Sequence, residues 1–192
     1  MRRRALLSAF PAAVVPAGCL DRAAVAGDGA SRSSEAPSEN GTSAGGDVSI
    51  PDDYAEPGLE FEPDDDGDPV AEWSVGTRPR LAELRDDRPH AVRIWNAADE
   101  EREVAVRIRR DGDGTVADDE VTLPADADAC LSVALERPAD HAVVVFEAGS
   151  EPTETVYVGR SLFDCNYSAT DVGVHDDGSL SWSTVSTTMG CG

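Results

Sequence analysis

Residues 101–124 read EREVAVRIRRDGDGTVADDEVTLP. Val104, Val106 and Ile108 fall on one parity, and Ala105, Arg107 and Arg109 fall on the other. That alternation is the mark of a strand with one buried face, because successive side chains of a strand point to opposite sides. The run "DGDG" from Asp111 to Gly114 supplies turn residues, and glycine there allows the positive φ that tight hairpins need. Val121 and Leu123 then resume the alternation until Pro124 ends it. The stretch is a β-hairpin with one apolar face.

The same texture extends in both directions. In HAVRIWN (90–96) Val92 and Ile94 share a face opposite Arg93 and Trp95. In ACLSVALE (129–136) Leu131, Val133 and Leu135 point inward, which places Cys130 on the other face. HAVVVFEAG (141–149) is apolar on both parities and reads as a central strand. ETVYVG (154–159) follows, and ATDVGVHDDGSLSWSTV (169–185) is a second hairpin with Asp177-Gly178 at its tip. No stretch has helical periodicity. Seven or eight short strands separated by regular turns predict an all-β fold, an antiparallel immunoglobulin-like β-sandwich over residues 70–192. There is no internal repeat.

The chain has 192 residues, with 38 acids against 16 bases and a formal net charge of -22. Every base is arginine; lysine is absent. Such a surface offers phosphate no basic footprint, so nucleic acid is excluded as a partner. Self-repulsion of this size opposes a compact state in dilute buffer. At about 1 M salt the screening length falls to about 3 Å and the repulsion fades. The composition resembles that of proteins from extremely halophilic archaea.

Arg2, Arg3 and Arg4 precede a short apolar run from Ala5 to Val15, too short to span a bilayer as a helix. Residues 1–18 therefore read as a signal peptide. Arg3-Arg4 followed by Ala5 and Leu6-Leu7 resembles the twin-arginine export signal. Ala17-Gly18-Cys19 resembles the lipobox of exported lipoproteins, with Pro16 where an aliphatic residue is usual. That resemblance makes Cys19 the lipid attachment point and the membrane a partner through the lipid, at the outer face of the cytoplasmic membrane. The other reading of this start is a secreted protein cut near Ala17. Cleavage before Cys19 removes three arginines and no acid, leaving 13 bases against 38 acids, or -25.

Residues 19–69 are rich in Ser, Gly, Pro and acids and poor in aliphatic side chains. A segment of this kind cannot offset the entropy of ordering and is expected to be a disordered tether. Tyr54, Leu59 and Phe61 are the side chains in it that could dock on the domain. Asn40 and Asn166 each head an Asn-x-Ser/Thr triplet, a weak glycosylation signal.

With Cys19 set aside, Cys130, Cys165 and Cys191 remain. Pairing Val172 and Val174 with Leu180 and Trp182 in the last hairpin brings Cys165 and Cys191 to the same end of it. A disulfide between them is expected, closing a loop of about 25 residues worth roughly 3–4 kcal/mol on a loop-entropy estimate.

Chemistry beyond this is sparse. A cupredoxin-type copper site would draw on His90, His141, His175, Cys165 and Met189, but these lie too far apart along two strands to form that family's compact ligand loop. Asp111, Asp113, Asp118, Asp119 and Glu120 cluster in the manner of calcium ligands, and Asp64 to Asp68 form a second acidic run; yet an EF-hand needs glycine where Val116 stands. There is no G-x-S-x-G or H-E-x-x-H motif. No cofactor, metal or catalytic residue is expected. Trp73, Trp95, Trp182, Tyr157 and Phe146 are candidates for a binding patch, with Trp95 either exposed or lying beneath a folded-back segment.

The segment PHAVRIWNAADEEREVAVRI (89–108), the FDCN at Phe163 to Asn166 and the terminal STTMGC resemble a set of small haloarchaeal lipoproteins. The resemblance implies surface location and an immunoglobulin-like fold and brings no catalytic residues. The expectation is a non-enzymatic, lipid-anchored surface module that binds an envelope protein, a glycan or a solute, or has an envelope role. The alternative is an envelope redox or metal-binding accessory protein.

Overall fold

Alternating apolar side chains give this chain nine strands, seen in a computed structural model that describes residues 46–63, 68–152 and 154–188. All of these belong to a single compact unit. The strands are β1 (Ala71–Val75), β2 (His90–Asn96), β3 (Arg102–Arg110), β4 (Gly114–Leu123), β5 (Cys130–Leu135), β6 (His141–Glu147), β7 (Val156–Val158), β8 (Ser168–Val174) and β9 (Leu180–Ser186). They form a five-stranded sheet ordered β1-β5-β2-β8-β9 and a four-stranded sheet ordered β4-β3-β6-β7.

The two sheets share one apolar core. Val92 and Ile94 of β2, Val104, Val106 and Ile108 of β3, and Leu131, Val133 and Leu135 of β5 are each fully buried in it. Full burial of such side chains contributes about 1.5–3 kcal/mol apiece. The alternation in residues 101–124 thus specifies the β3–β4 hairpin, which turns through Gly112 and Gly114, each at φ +76°. A β-bulge between Ile108 and Arg109 shifts the register, and β4 starts at Gly114, well before the Val121–Leu123 pair. β6 is interior, flanked by β3 and β7, as its apolarity on both parities requires.

Three features differ from expectation. Among the described residues there are nine strands rather than seven or eight, because Ala71–Val75 also enters the sheet. Two pairings, β1 with β5 and β2 with β8, are parallel, whereas the remaining ones are antiparallel. A single helical turn, α1 (Arg80–Leu84), joins β1 to β2 past the end of β5.

Residues 46–63, which composition assigns to the tether, lie against the sandwich. Tyr54 stacks on Trp182 of β9 with ring centroids 6.1 Å apart and meets Tyr157 of β7 edge-on at 5.1 Å. Its ring thus closes the side of the sandwich where β7 and β9 are both edge strands. The Gly58 N–H donates to the Trp182 carbonyl, and the Thr184 N–H donates to Glu56. Leu180 N–H on the same edge donates to Glu154. Phe61 lies on Gly173 of β8, where a Cβ would come within 2.3 Å of its ring.

Candidate functional site

On the outer face of the five-stranded sheet, one end of β2 and β5 presents small side chains beside Arg93: Ala91 stands opposite Ala134, and Ser132 opposite Arg93. The same alternation that sends Val92, Leu131, Val133 and Leu135 into the core leaves these residues facing away from it. Small residues leave a floor, and the connection through α1 raises a wall beside it. The result is a cleft of about 470 Å³, within the size range of small-ligand sites.

The wall is basic. Arg78, Asp86 and Arg88 line it, and Tyr167, 64% exposed, lines the cleft as well. Arg78 donates through Nη2 to the Asp87 carbonyl, while its Nε is buried without a partner. The Arg88 backbone N–H donates to the Asp164 carbonyl at 2.7 Å, which fixes the loop to the segment ahead of β8. Asp86, just past α1, sits at φ +57°, a conformation aspartate tolerates better than most residues. Among the described residues the ion pairs use Arg93, Arg102, Arg107, Arg110 and Arg137. None uses an arginine of residues 78–88, although this short stretch holds four of them.

Further along the same face, Arg93 and Asp171 form a two-pronged pair, with Nε and Nη2 each 2.7 Å from a carboxylate oxygen. The Trp95 indole N–H donates to Asp171 at 3.0 Å. Trp95 is 1% exposed and packs with Ala127, Cys130 and Phe61. Of its two possible positions it therefore takes the covered one, under the folded-back segment. Cys130 lies on the face opposite Leu131 and Val133, as its parity predicts.

The histidines are not gathered into one site. His90 and His141 are both fully buried and flank Phe163, with ring centroids 6.0 and 5.6 Å from it. His90 Nδ1 lies 2.8 Å from the Ser168 hydroxyl, and Nε2 lies 2.9 Å from that of Thr170. Burial lowers the His90 pKa to about 4, helped by the nearby His141. Burial likewise lowers His141 to about 4, against the raising effect of its hydrogen bond to the Ala139 carbonyl. His175 is at the β8–β9 turn, half-buried rather than exposed, with Nε2 2.8 Å from the Ser181 hydroxyl. No three His, Cys, Asp or Glu side chains among the described residues are grouped to hold a metal ion. The acidic hairpin tip is engaged internally: Asp111 accepts the Val48 N–H, Asp113 pairs with Arg110 and Arg137, and Asp118 pairs with Arg107. The Arg110 bond is the main cause holding the Asp113 carboxyl below its usual range.

Asn166 donates through Nδ2 to Asp164, and Ser168, the third residue of its triplet, is 2% exposed with its hydroxyl bound to the Leu162 carbonyl. Arg3, Arg4, Cys19, Asn40, Met189 and Cys191 lie outside the described residues, as does most of the second acidic run. Among the described residues no helix is long and apolar enough to cross a membrane. The sequence reading did not single out Arg78, Asp86, Arg88 or Tyr167. The available signal was the clustering of arginines in RPRLAELRDDR (78–88), within a chain otherwise dominated by acids.

A search of curated proteins finds no match for the chain. Residues 100–189, from just ahead of β3 to beyond β9, match the model of the halobacterial Ig-like domain. This part of the chain is similar to that domain, and the two-sheet architecture agrees with it: the fold is an immunoglobulin-like β-sandwich.

Proposed function

We propose that the protein is a non-enzymatic binding module held at the outer face of the cytoplasmic membrane, and that it binds through the cleft over Ala91, Ser132 and Ala134. The observation that carries this reading is the cleft itself: small-residue floor, guanidinium groups outside the ion pairs and an exposed tyrosine in one depression of about 470 Å³. The sandwich is a rigid support, and the cleft wall is a connection, the usual division between scaffold and binding residues.

The anchor rests on the sequence. Residues 1–18 direct export through Arg3-Arg4, and Cys19 carries the lipid. One acyl chain holds a protein only marginally, so a two-chain lipid is needed for stable attachment. Residues 20–45 then serve as the tether, since the segment from 46 onward packs on the domain. The Cys165–Cys191 disulfide belongs to the same proposal. It is supported by the β8–β9 register, in which Ser168, three residues after Cys165, faces Ser186, five residues before Cys191 in the sequence.

The test has two arms. In Cys19→Ser the protein should leave the membrane fraction; unchanged fractionation would remove the anchor. Ala134→Trp fills the cleft without touching the core face. It should abolish retention of the tagged protein on washed envelopes in molar salt, whereas retention equal to the parent would reject the cleft as the binding site.

A further inference from the structure

We infer that the cleft takes an acidic saccharide, bound by the carboxylate of a uronic acid residue. This rests on the reading above that the cleft is the binding site, and it names the ligand class. Arg88 has a side chain with no bonded partner among the described residues, and Arg78 has an unpartnered buried Nε. Both line the cleft. In a chain with 38 acids, the Arg88 guanidinium is outside the ion pairs and available to an incoming anion, and Arg78, also outside them, adds a second positive charge beside the same depression. A planar carboxylate is the anion that matches the guanidinium fork.

Two further groups decide between a sugar and an acidic peptide. Asp86 also lines the cleft; a carboxylate repels a second carboxylate, but it accepts hydrogen bonds from sugar hydroxyls. Tyr167 is 64% exposed, and its ring is an amphipathic surface on which the C–H face of a pyranose can lie while the phenol bonds to its hydroxyls. Ser132 adds a hydroxyl at the floor. A peptide dense in carboxylates meets repulsion from Asp86 inside the cleft. A saccharide with a carboxylate on one ring presents a single charge to the arginines and hydroxyls elsewhere. At molar salt the overall repulsion is screened, while contacts made inside the cleft are screened less.

Tyr167 provides a direct readout. The chain has three tyrosines, and Tyr54 and Tyr157 pack against each other, away from the cleft lining. With ring-labelled tyrosine in the full-length protein at molar salt, galacturonosyl-galactose, which has one carboxylate, should shift the Tyr167 resonance and leave the other two in place. Neutral galactobiose and the dipeptide Glu-Glu should each bind at least about tenfold more weakly, the loss expected for one charge-assisted contact. Arg88→Gln should weaken galacturonosyl-galactose by a similar factor and leave galactobiose unchanged. Equal binding of galactobiose would overturn the carboxylate, and equal binding of Glu-Glu would overturn the sugar. Absence of any Tyr167 shift would overturn the ligand class. None of these outcomes touches the envelope-retention result for Ala134→Trp, which judges the cleft separately.

Discussion

The hydroxyl of Ser168 donates to the Leu162 carbonyl, so toward His90 it accepts, and His90 Nδ1 carries the hydrogen. Nε2 is then the acceptor for the Thr170 hydroxyl, which in turn lies 2.9 Å from that of Thr184. The neutral ring satisfies this chain of bonds without placing a charge in a buried site, and it is burial that disfavours the imidazolium. With pKa values of about 4 in the fold, against 6.5 for the exposed side chain, His90 and His141 are neutral when folded and protonate first when unfolded. The unfolded state therefore binds more protons between these values, and stability falls as pH drops through that window. Each histidine contributes roughly 3 kcal/mol to the loss. Thermal melts in molar salt should be flat above about pH 7 and fall steadily from about pH 6.5 to about pH 4. Replacing His90 with glutamine should lower the melting temperature at neutral pH and shrink the slope below it. An unchanged slope would show that the ring is not held neutral.

Burial of one face imposes a period of two on a strand, so the faces of β2, β3 and β5 could be read residue by residue from Val92, Val106 and Val133. The parallel pairing of β2 with β8 could not, since parity states which way a side chain points and not which strand lies alongside. The cleft was invisible for the same reason: Ala91 and Ala134 become a floor only once β2 and β5 are neighbours. Docking of residues 46–63 was legible only as three apolar exceptions in a polar segment, and its strength comes from matched partners on the domain. Gly173 is one, since only a residue without a Cβ leaves room for Phe61. Gly173→Ala should destabilise by about 1–3 kcal/mol, as overpacking does, and should expose Trp95, read as a red shift in its fluorescence. Tyr54 supplies the other match. Its hydroxyl accepts the Tyr157 N–H at 3.0 Å, so Tyr54→Phe should speed hydrogen exchange at that amide while leaving the β3–β6 ladder protected. Equal exchange there would mean that the segment does not cap the β7 edge.

At the scale of the whole molecule, charge sets the conditions under which the fold survives. The four-stranded sheet ends on β4, whose exposed Asp118, Asp119 and Glu120 stand in a row. Carboxylates on an edge strand discourage pairing with another chain, and here Arg107 balances only Asp118. Asp119 and Glu120 add to the repulsion carried by a net charge of -22. The screening length is about 10 Å at 0.1 M salt and about 3 Å at 1 M. Neighbouring carboxylates therefore repel through most of their separation in dilute buffer and little of it in brine. The melting temperature should rise with sodium chloride up to at least about 1 M, where screening is nearly complete. The double variant Asp119→Asn/Glu120→Gln should melt higher than the parent in dilute buffer and converge with it in brine, because the repulsion it removes is the one that salt already suppresses. It should also aggregate sooner in brine, where the same two carboxylates no longer guard the edge and apolar association is strengthened. A parent protein whose melting temperature does not respond to salt would separate the acid excess from stability. It would leave edge protection as the role these carboxylates play in the fold.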